Sequence, residues 1–197
     1  GFANIGKTTT QLFLMMMASK LYDYKWLMYC PENEPIGDLM IDIAEMYCGK
    51  TADKDFNDRI IQEDYLRAIE WAYDHFTVLT FEETPTVDEV LESFEEYLQV
   101  AEIDGISIDP LNDLKAPPKM SKYDYYYDAL SNVRRFIKRH NVMFYLVVHP
   151  GTAANRRRNE DGTRPAPNMS DVEFGAMFGN RADNFLVFHR NPQSEKW

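Results

Sequence analysis

Apolar positions recur along the chain in two rhythms that alternate from end to end. Residues 36–47 carry apolar side chains at Ile36, Leu39, Met40, Ile43 and Met46, the three-and-four spacing of one helical face. Residues 60–73 repeat it through Ile61, Leu66, Ile69 and Trp71 or Ala72. An apolar run over 8–21 predicts a further helix, as does 123–140. The acidic stretch 86–100 opens with Thr86 and has Glu89 three residues on, the pair that exchanges hydrogen bonds at a helix start. Between these lie short β-rich runs at 25–30 (KWLMYC), 76–81 (FTVLTF), 104–109 (DGISID), 142–148 (VMFYLVV) and 184–188 (NFLVF). Residues 31–35 and 150–170 are polar and read as turn and loop. Strands apolar on both faces and separated by helices imply an α/β fold, a largely parallel twisted sheet flanked by helices with right-handed crossovers.

Composition narrows this further. The 197 residues, 45% hydrophobic and 14% aromatic, suffice for one domain with a substantial core. The pattern holds no internal repeat and no second domain. No stretch approaches the roughly 20 apolar residues of a membrane span, so a soluble protein is expected, without a membrane partner. Two cysteines, Cys30 and Cys48, are too few for a disulfide framework and lack metal-ligand spacing, which favours reduced thiols and a cytoplasmic setting. The net charge of −11 speaks against nucleic-acid binding in bulk, but it is unevenly spread. Residues 1–110 hold 7 Lys/Arg against 23 Asp/Glu, a net of −16, and residues 111–197 hold 14 against 9, a net of +5.

Chemistry concentrates at the ends of the expected strands. Residues 1–8, GFANIGKT, fit G-x-x-x-x-G-K-[ST] at every fixed position and open an apolar helix. Glycines let the backbone wrap a phosphate, the helix N-terminus attracts it, Lys7 reaches the β and γ phosphates, and the Thr8 hydroxyl ligates Mg²⁺. Such a loop normally joins a strand to a helix, so the sequence reads as a fragment lacking the strand ahead of it. Asp109 ends the strand around Ile106-Ser107-Ile108, at the edge where open α/β sheets bind ligands, and can hold Mg²⁺ through water. Alone it reads as a turn-capping aspartate; with Lys7 and Thr8 it forms the second half of a nucleotide site. Glu32 follows the strand ending at Cys30 and is placed to activate a water, in preference to Glu34. His149 ends the strand 142–148, at the same edge, where it can hydrogen-bond a γ-phosphate. Basic residues gather in two loops, with Lys115 and Lys119 after Asp109, and Arg156, Arg157, Arg158 and Arg164 after His149. Loops of this kind can grip the phosphates of a single strand. Among Tyr123, Tyr125, Tyr126 and Tyr127, core packing is the expectation.

These segments together resemble the RecA-type motor domain of DnaB-like replicative helicases, especially the phage and mitochondrial Twinkle-like branch. Residues 1–8 match its Walker A loop, Pro31-Glu32-Asn33 its strand-end catalytic glutamate, Ile108-Asp109-Pro110 its Walker B, and Val148-His149-Pro150 its sensor segment. Residues 175–184, the following strand and Arg190 match its last conserved stretch. The resemblance implies a RecA-like P-loop NTPase that hydrolyses ATP with Mg²⁺ at subunit interfaces of a homo-oligomeric ring, hexameric in its relatives' manner, and translocates on single-stranded DNA. Within it Gly1, Asn4, Gly6, Lys7, Thr8 and Thr9 bind phosphates, Thr8 and Asp109 hold the metal, and Glu32, Lys7 and His149 are catalytic. Arg190 falls where relatives contact the base, and loops 113–122 and 151–168 fall where they contact DNA. Primase or other replisome proteins become expected partners, and a bacterial or phage-infected cell the expected source. Two departures stand out: Gly151-Thr152 follow the His-Pro pair where relatives often carry basic residues, and the arginine-finger strand would lie beyond Arg190. The alternative is a RecA-like ATPase acting as a regulatory or assembly switch without unwinding. A small-molecule kinase is disfavoured, because no separate arginine-rich lid or acceptor pocket is evident.

Overall fold

The computed structural model describes residues 6–33, 35–172 and 175–190. Its centre is a four-stranded sheet of order β2-β1-β3-β4, parallel throughout, built from β1 (Trp26–Tyr29), β2 (Phe76–Val78), β3 (Gly105–Ile108) and β4 (Met143–Leu146). Leu27 sits opposite Ile106, and Ile106 opposite Phe144, so the C-terminal ends of β1, β3 and β4 lie along one edge. Helices α1 (Lys7–Tyr22), α2 (Ile36–Cys48), α3 (Gln62–His75), α4 (Val87–Leu98) and α5 (Lys122–His140) connect and cover it.

The twofold alternation of strand side chains divides the core into two layers. Leu27, Tyr29, Ile106 and Ile108 face α4 and α5, packing with Val90, Phe94, Val133 and Phe136. Trp26, Met28 and Cys30 face the other way, onto Leu12, Met15, Met16, Leu39 and Ile43 of α1 and α2. Each such side chain removed from water stabilises the fold by about 1.5–3 kcal/mol. Gly105 is required by close approach: a Cβ there would lie 2.1 Å from the Trp26 ring. Helix boundaries follow the expected signals. Thr86 and Glu89 form the full capping box of α4, and donation from the Thr86 backbone N–H holds the Glu89 carboxyl below its usual range. Asn141, at φ 53°, closes α5 in the left-handed conformation.

Several expectations are corrected. Residues 184–188 form no strand, and Leu186 and Val187 are 61% and 39% exposed. They border a groove of about 540 Å³ shared with β4, so this apolar run has no ladder partner among the described residues. For the same reason β4 is not buried on both faces: Met143 is exposed and its neighbours half-buried, whereas β1 and β3 are wholly buried. Ile61 and Leu66 are exposed, and α3 packs through Ala68 together with the expected Ile69, Trp71 and Ala72. The stretch 150–170 contains a short helix, α6 (Thr152–Arg156), and a 3-10 turn begins at its end (Met169–Asp171); a further short helix, α7 (Gly175–Gly179), follows. Tyr125 and Tyr126 are buried as expected, whereas Tyr123 and Tyr127 are exposed. Both cysteines are free thiols. No helix among the described residues is long and apolar enough to cross a membrane.

Candidate active site

The N-terminus of α1 is built to receive an anion. Gly6, at φ 84°, turns the chain into the helix in a conformation that glycine adopts without strain, and as the N-cap residue it brings no capping side chain. The first helical N–H groups and the positive end of the dipole point out of this end of α1. Thr9 is exposed beside them. Gly1 and Asn4, also expected to bind phosphate, lie outside the described residues.

Asp109 meets this helix from β3. It is 2% exposed, and its backbone N–H is bonded to the Tyr29 carbonyl at 3.0 Å, which fixes it just past the strand end. The Thr8 hydroxyl donates to Asp109 Oδ2 at 2.8 Å, joining residues 101 apart in sequence. The other carboxylate oxygen, Oδ1, is buried without a hydrogen-bond partner among the described residues. Burial pushes the Asp109 carboxyl above its usual range, as does the charge of Glu32, while the Thr8 bond and the charges of Lys7 and His149 oppose the shift. A bond to a charged group is worth about 1.5–3 kcal/mol, against a desolvation penalty of several kcal/mol for a buried carboxylate. Asp109 is therefore a net cost to the nucleotide-free fold. Burial likewise lowers Lys7, against the nearby charges of Asp109 and Glu32.

The structure thus brings Lys7, Thr8, Glu32, Asp109 and His149 to one edge. Glu32 sits exposed in the 3-10 turn Pro31–Asn33 directly after β1. His149 follows β4, its backbone N–H donating to Asn112 Oδ1 at 2.8 Å. Arg190 lies exposed at the end of the 184–190 segment. An orphaned, buried carboxylate oxygen beside a threonine hydroxyl is a hard-oxygen donor set that fits Mg²⁺. No group of three or more His, Cys, Asp or Glu side chains among the described residues converges closely enough to hold a metal ion by itself. Mg²⁺ characteristically takes one or two protein ligands and completes its shell with phosphate and water.

The basic loops are held differently. Lys115 is exposed and anchored by its backbone N–H to the Pro85 carbonyl, and Lys119 is exposed at φ 68°. Arg156 and Arg158 are exposed, and Arg164 is half-buried. Arg157 is ion-paired to Asp171, which draws that part of the loop onto the 3-10 turn at 169–171. Three positions escaped the sequence reading. Asn112 supports His149, and Gln11 and Ser107 bond to one another inside the seam between α1 and β3. The available signal was a polar residue between Ile106 and Ile108 at 107, whereas Gln11 merely ends the polar stretch 7–11 ahead of the apolar run that starts at Leu12.

A parallel sheet between two helical layers, with a helix N-terminus and an acidic strand end on a shared edge, is a RecA-like α/β fold. In sequence the chain is similar to the Twinkle homolog protein, chloroplastic/mitochondrial, of Arabidopsis thaliana, 31% identical over 125 residues. That match spans 61% of this chain and 17% of the plant protein. In fold it is similar to a DnaB-like replicative helicase described with its interactions with primase, at a TM-score of 0.68 and 16% identity, covering 92% of this chain and 44% of that one. It is also similar to a second solved structure, described as an ATPase domain, at a TM-score of 0.67 and 14% identity, covering 92% and 64% respectively. No family model matches the chain. The resemblance read from the motifs therefore holds both in sequence, toward Twinkle, and in fold, toward DnaB-like helicase ATPase domains.

Proposed function

We propose that the chain is the ATPase motor of a replicative DNA helicase, hydrolysing ATP at subunit interfaces to move along single-stranded DNA. The observation that carries this reading is the Thr8–Asp109 hydrogen bond at the N-terminus of α1, with Lys7, Glu32 and His149 around it. Gly1, Asn4, Gly6 and Thr9 cradle the phosphates, Lys7 neutralises the β and γ groups, and Arg190 contacts the base. Thr8 and Asp109 would hold Mg²⁺, which when bound supplies further charge neutralisation on the phosphates. Glu32 orients a water and takes its proton as the oxygen attacks the γ-phosphorus; the bond to the β-phosphate breaks and ADP leaves. His149 bonds the γ-phosphate and senses its loss.

Residues 1–197 act as one domain in this reading. The working assembly is a homo-oligomeric ring, with six subunits as in the resemblance, on single-stranded DNA, with primase or other replisome proteins as partners. DNA contacts fall to Lys115, Lys119, Arg156, Arg158 and Arg164, with Arg157 contributing through its hold on Asp171. Reduced thiols suit a bacterial or phage-infected cytoplasm and an organelle interior equally.

The test is ATP turnover by the full-length protein with and without single-stranded DNA. The motor reading expects DNA to raise turnover, and expects the response to shrink when Arg156, Arg158 and Arg164 are neutralised. Turnover indifferent to DNA would favour a switch that does not unwind. Phosphate found on a metabolite instead of in solution would favour a kinase.

A further inference from the structure

The seam between α1 and β3 is fastened at three heights. At the top Thr8 bonds Asp109. Three residues further along the helix and two back along the strand, the Gln11 Nε2 amide donates to Ser107 Oγ. Lower still, the Trp26 ring lies on Gly105 while its Nε1–H donates to the Met15 carbonyl at 3.2 Å and the Ser19 hydroxyl at 3.1 Å. Helix and strand thus run antiparallel, and Gly105, Ser107 and Asp109 share the strand face toward α1 by the twofold alternation.

We propose that Gln11 is a positioning residue for the metal site: its bond to Ser107 sets the height of α1 against β3 and so holds the Thr8 hydroxyl against Asp109. The inference rests on the nucleotide-site reading above. Leu12, Met15, Met16 and Met28 around the pair are apolar, and apolar surfaces alone permit sliding by fractions of a turn. A directional bond between two buried polar groups permits one register. Gln11 is 6% exposed and Ser107 fully buried, so neither can exchange its partner for bulk water. The amide is also a poor choice for stability, because Gln11 Oε1 is buried without a hydrogen-bond partner among the described residues. Methionine at 11 together with alanine at 107 would fill the volume and strand no polar atom. What methionine cannot do is fix the helix to the strand one turn from Lys7 and Thr8.

The experiment uses Gln11→Met and Ser107→Ala, singly and together, in the full-length protein. Three quantities are read: the unfolding midpoint, the affinity for a fluorescent ATP analogue in EDTA, and the Mn²⁺ affinity of the nucleotide complex by electron paramagnetic resonance. The expected result is an unfolding midpoint at or above that of the parent in the double variant, which leaves neither group unpaired, and in every variant unchanged affinity in EDTA and Mn²⁺ affinity reduced about tenfold, as for other groups that orient metal ligands. The double variant should be no worse than the worse single one, since both act through one bond. Unchanged Mn²⁺ affinity in folded Gln11→Met overturns the proposal. Should that variant fail to fold, Ser107→Ala, which deletes one hydroxyl, decides by the same comparison. Asp109→Ala separates the two levels of the argument: if it leaves Mn²⁺ affinity intact the metal site itself is misassigned and both readings fall, whereas loss there with no change at Gln11 sinks only the positioning role.

Discussion

The α1–β3 seam and the basic loops border the same sheet edge but are built on opposite principles. In the seam, polar side chains are buried and bonded across long stretches of sequence, 101 residues from Thr8 to Asp109 and 96 from Gln11 to Ser107. In the loops, most of the charge is exposed and position comes from contacts that include backbone bonds and the ion pair of Arg157 with Asp171. The difference teaches where each kind of substitution should register. A change in the seam alters chemistry and leaves salt dependence alone. A change in the loops alters electrostatic grip and leaves the chemical step alone.

Glu32→Gln should break the chemical side most severely, lowering ATP turnover by about 10²–10⁴-fold with nucleotide affinity nearly preserved; steady-state kinetics and equilibrium binding together check this. Lys7→Ala should cost about 10²–10³-fold in turnover and, unlike Glu32→Gln, weaken nucleotide binding as well. On the other side of the comparison, neutralising Arg156, Arg158 and Arg164 should reduce the slope of log affinity against log salt by about one unit per lost phosphate contact. DNA-free turnover should not change, and a fluorescence titration over a salt series measures the slope.

Smaller effects sharpen the contrast. Burial raises the Asp109 pKa above 3.8, so the folded state keeps a proton that the unfolded chain has lost. Stability therefore falls as pH rises from about 4 through the folded-state pKa. Asp109→Asn removes that slope, and the nucleotide-free variant should melt about 2–4 °C above the parent at neutral pH for each kcal/mol recovered. The difference should vanish below the unfolded pKa. Arg157→Ala should show the least, since a half-exposed ion pair contributes about 0–1 kcal/mol; a slight fall in melting temperature that Arg156→Ala does not share would identify the tether to Asp171.

What the sequence made legible follows the same division. Local patterns located the five long helices and four strands among the described residues, through helical periodicity in α2 and α3, an apolar run in α1, a cap signal in α4 and β-rich runs in the strands, because each pattern is complete within its own segment. The phosphate loop and the Thr86–Glu89 cap were equally local. Residues 184–188 failed because a strand exists only when a neighbour pairs with it, and β-rich composition cannot report that. Helices α6 and α7, five residues each, are too short to complete a periodic pattern. Arg157 read as a free cation because its partner, Asp171, lies across an irregular loop. Gln11 was lost at the end of the polar stretch that opens α1, its partner being 96 positions distant. The residues at the strand ends could be named from sequence, whereas the bonds that hold them at their heights could not.

The central claim is that a triphosphate lies at the N-terminus of α1 with its metal between Thr8 and Asp109. A crystal structure of the full-length protein with Mg²⁺ and a non-hydrolysable ATP analogue tests it most directly. The account predicts the β and γ phosphates against Gly6 and Lys7, with metal density between the Thr8 hydroxyl and the Asp109 carboxylate. Phosphates bound elsewhere, or a metal held with neither of those side chains near it, would contradict it.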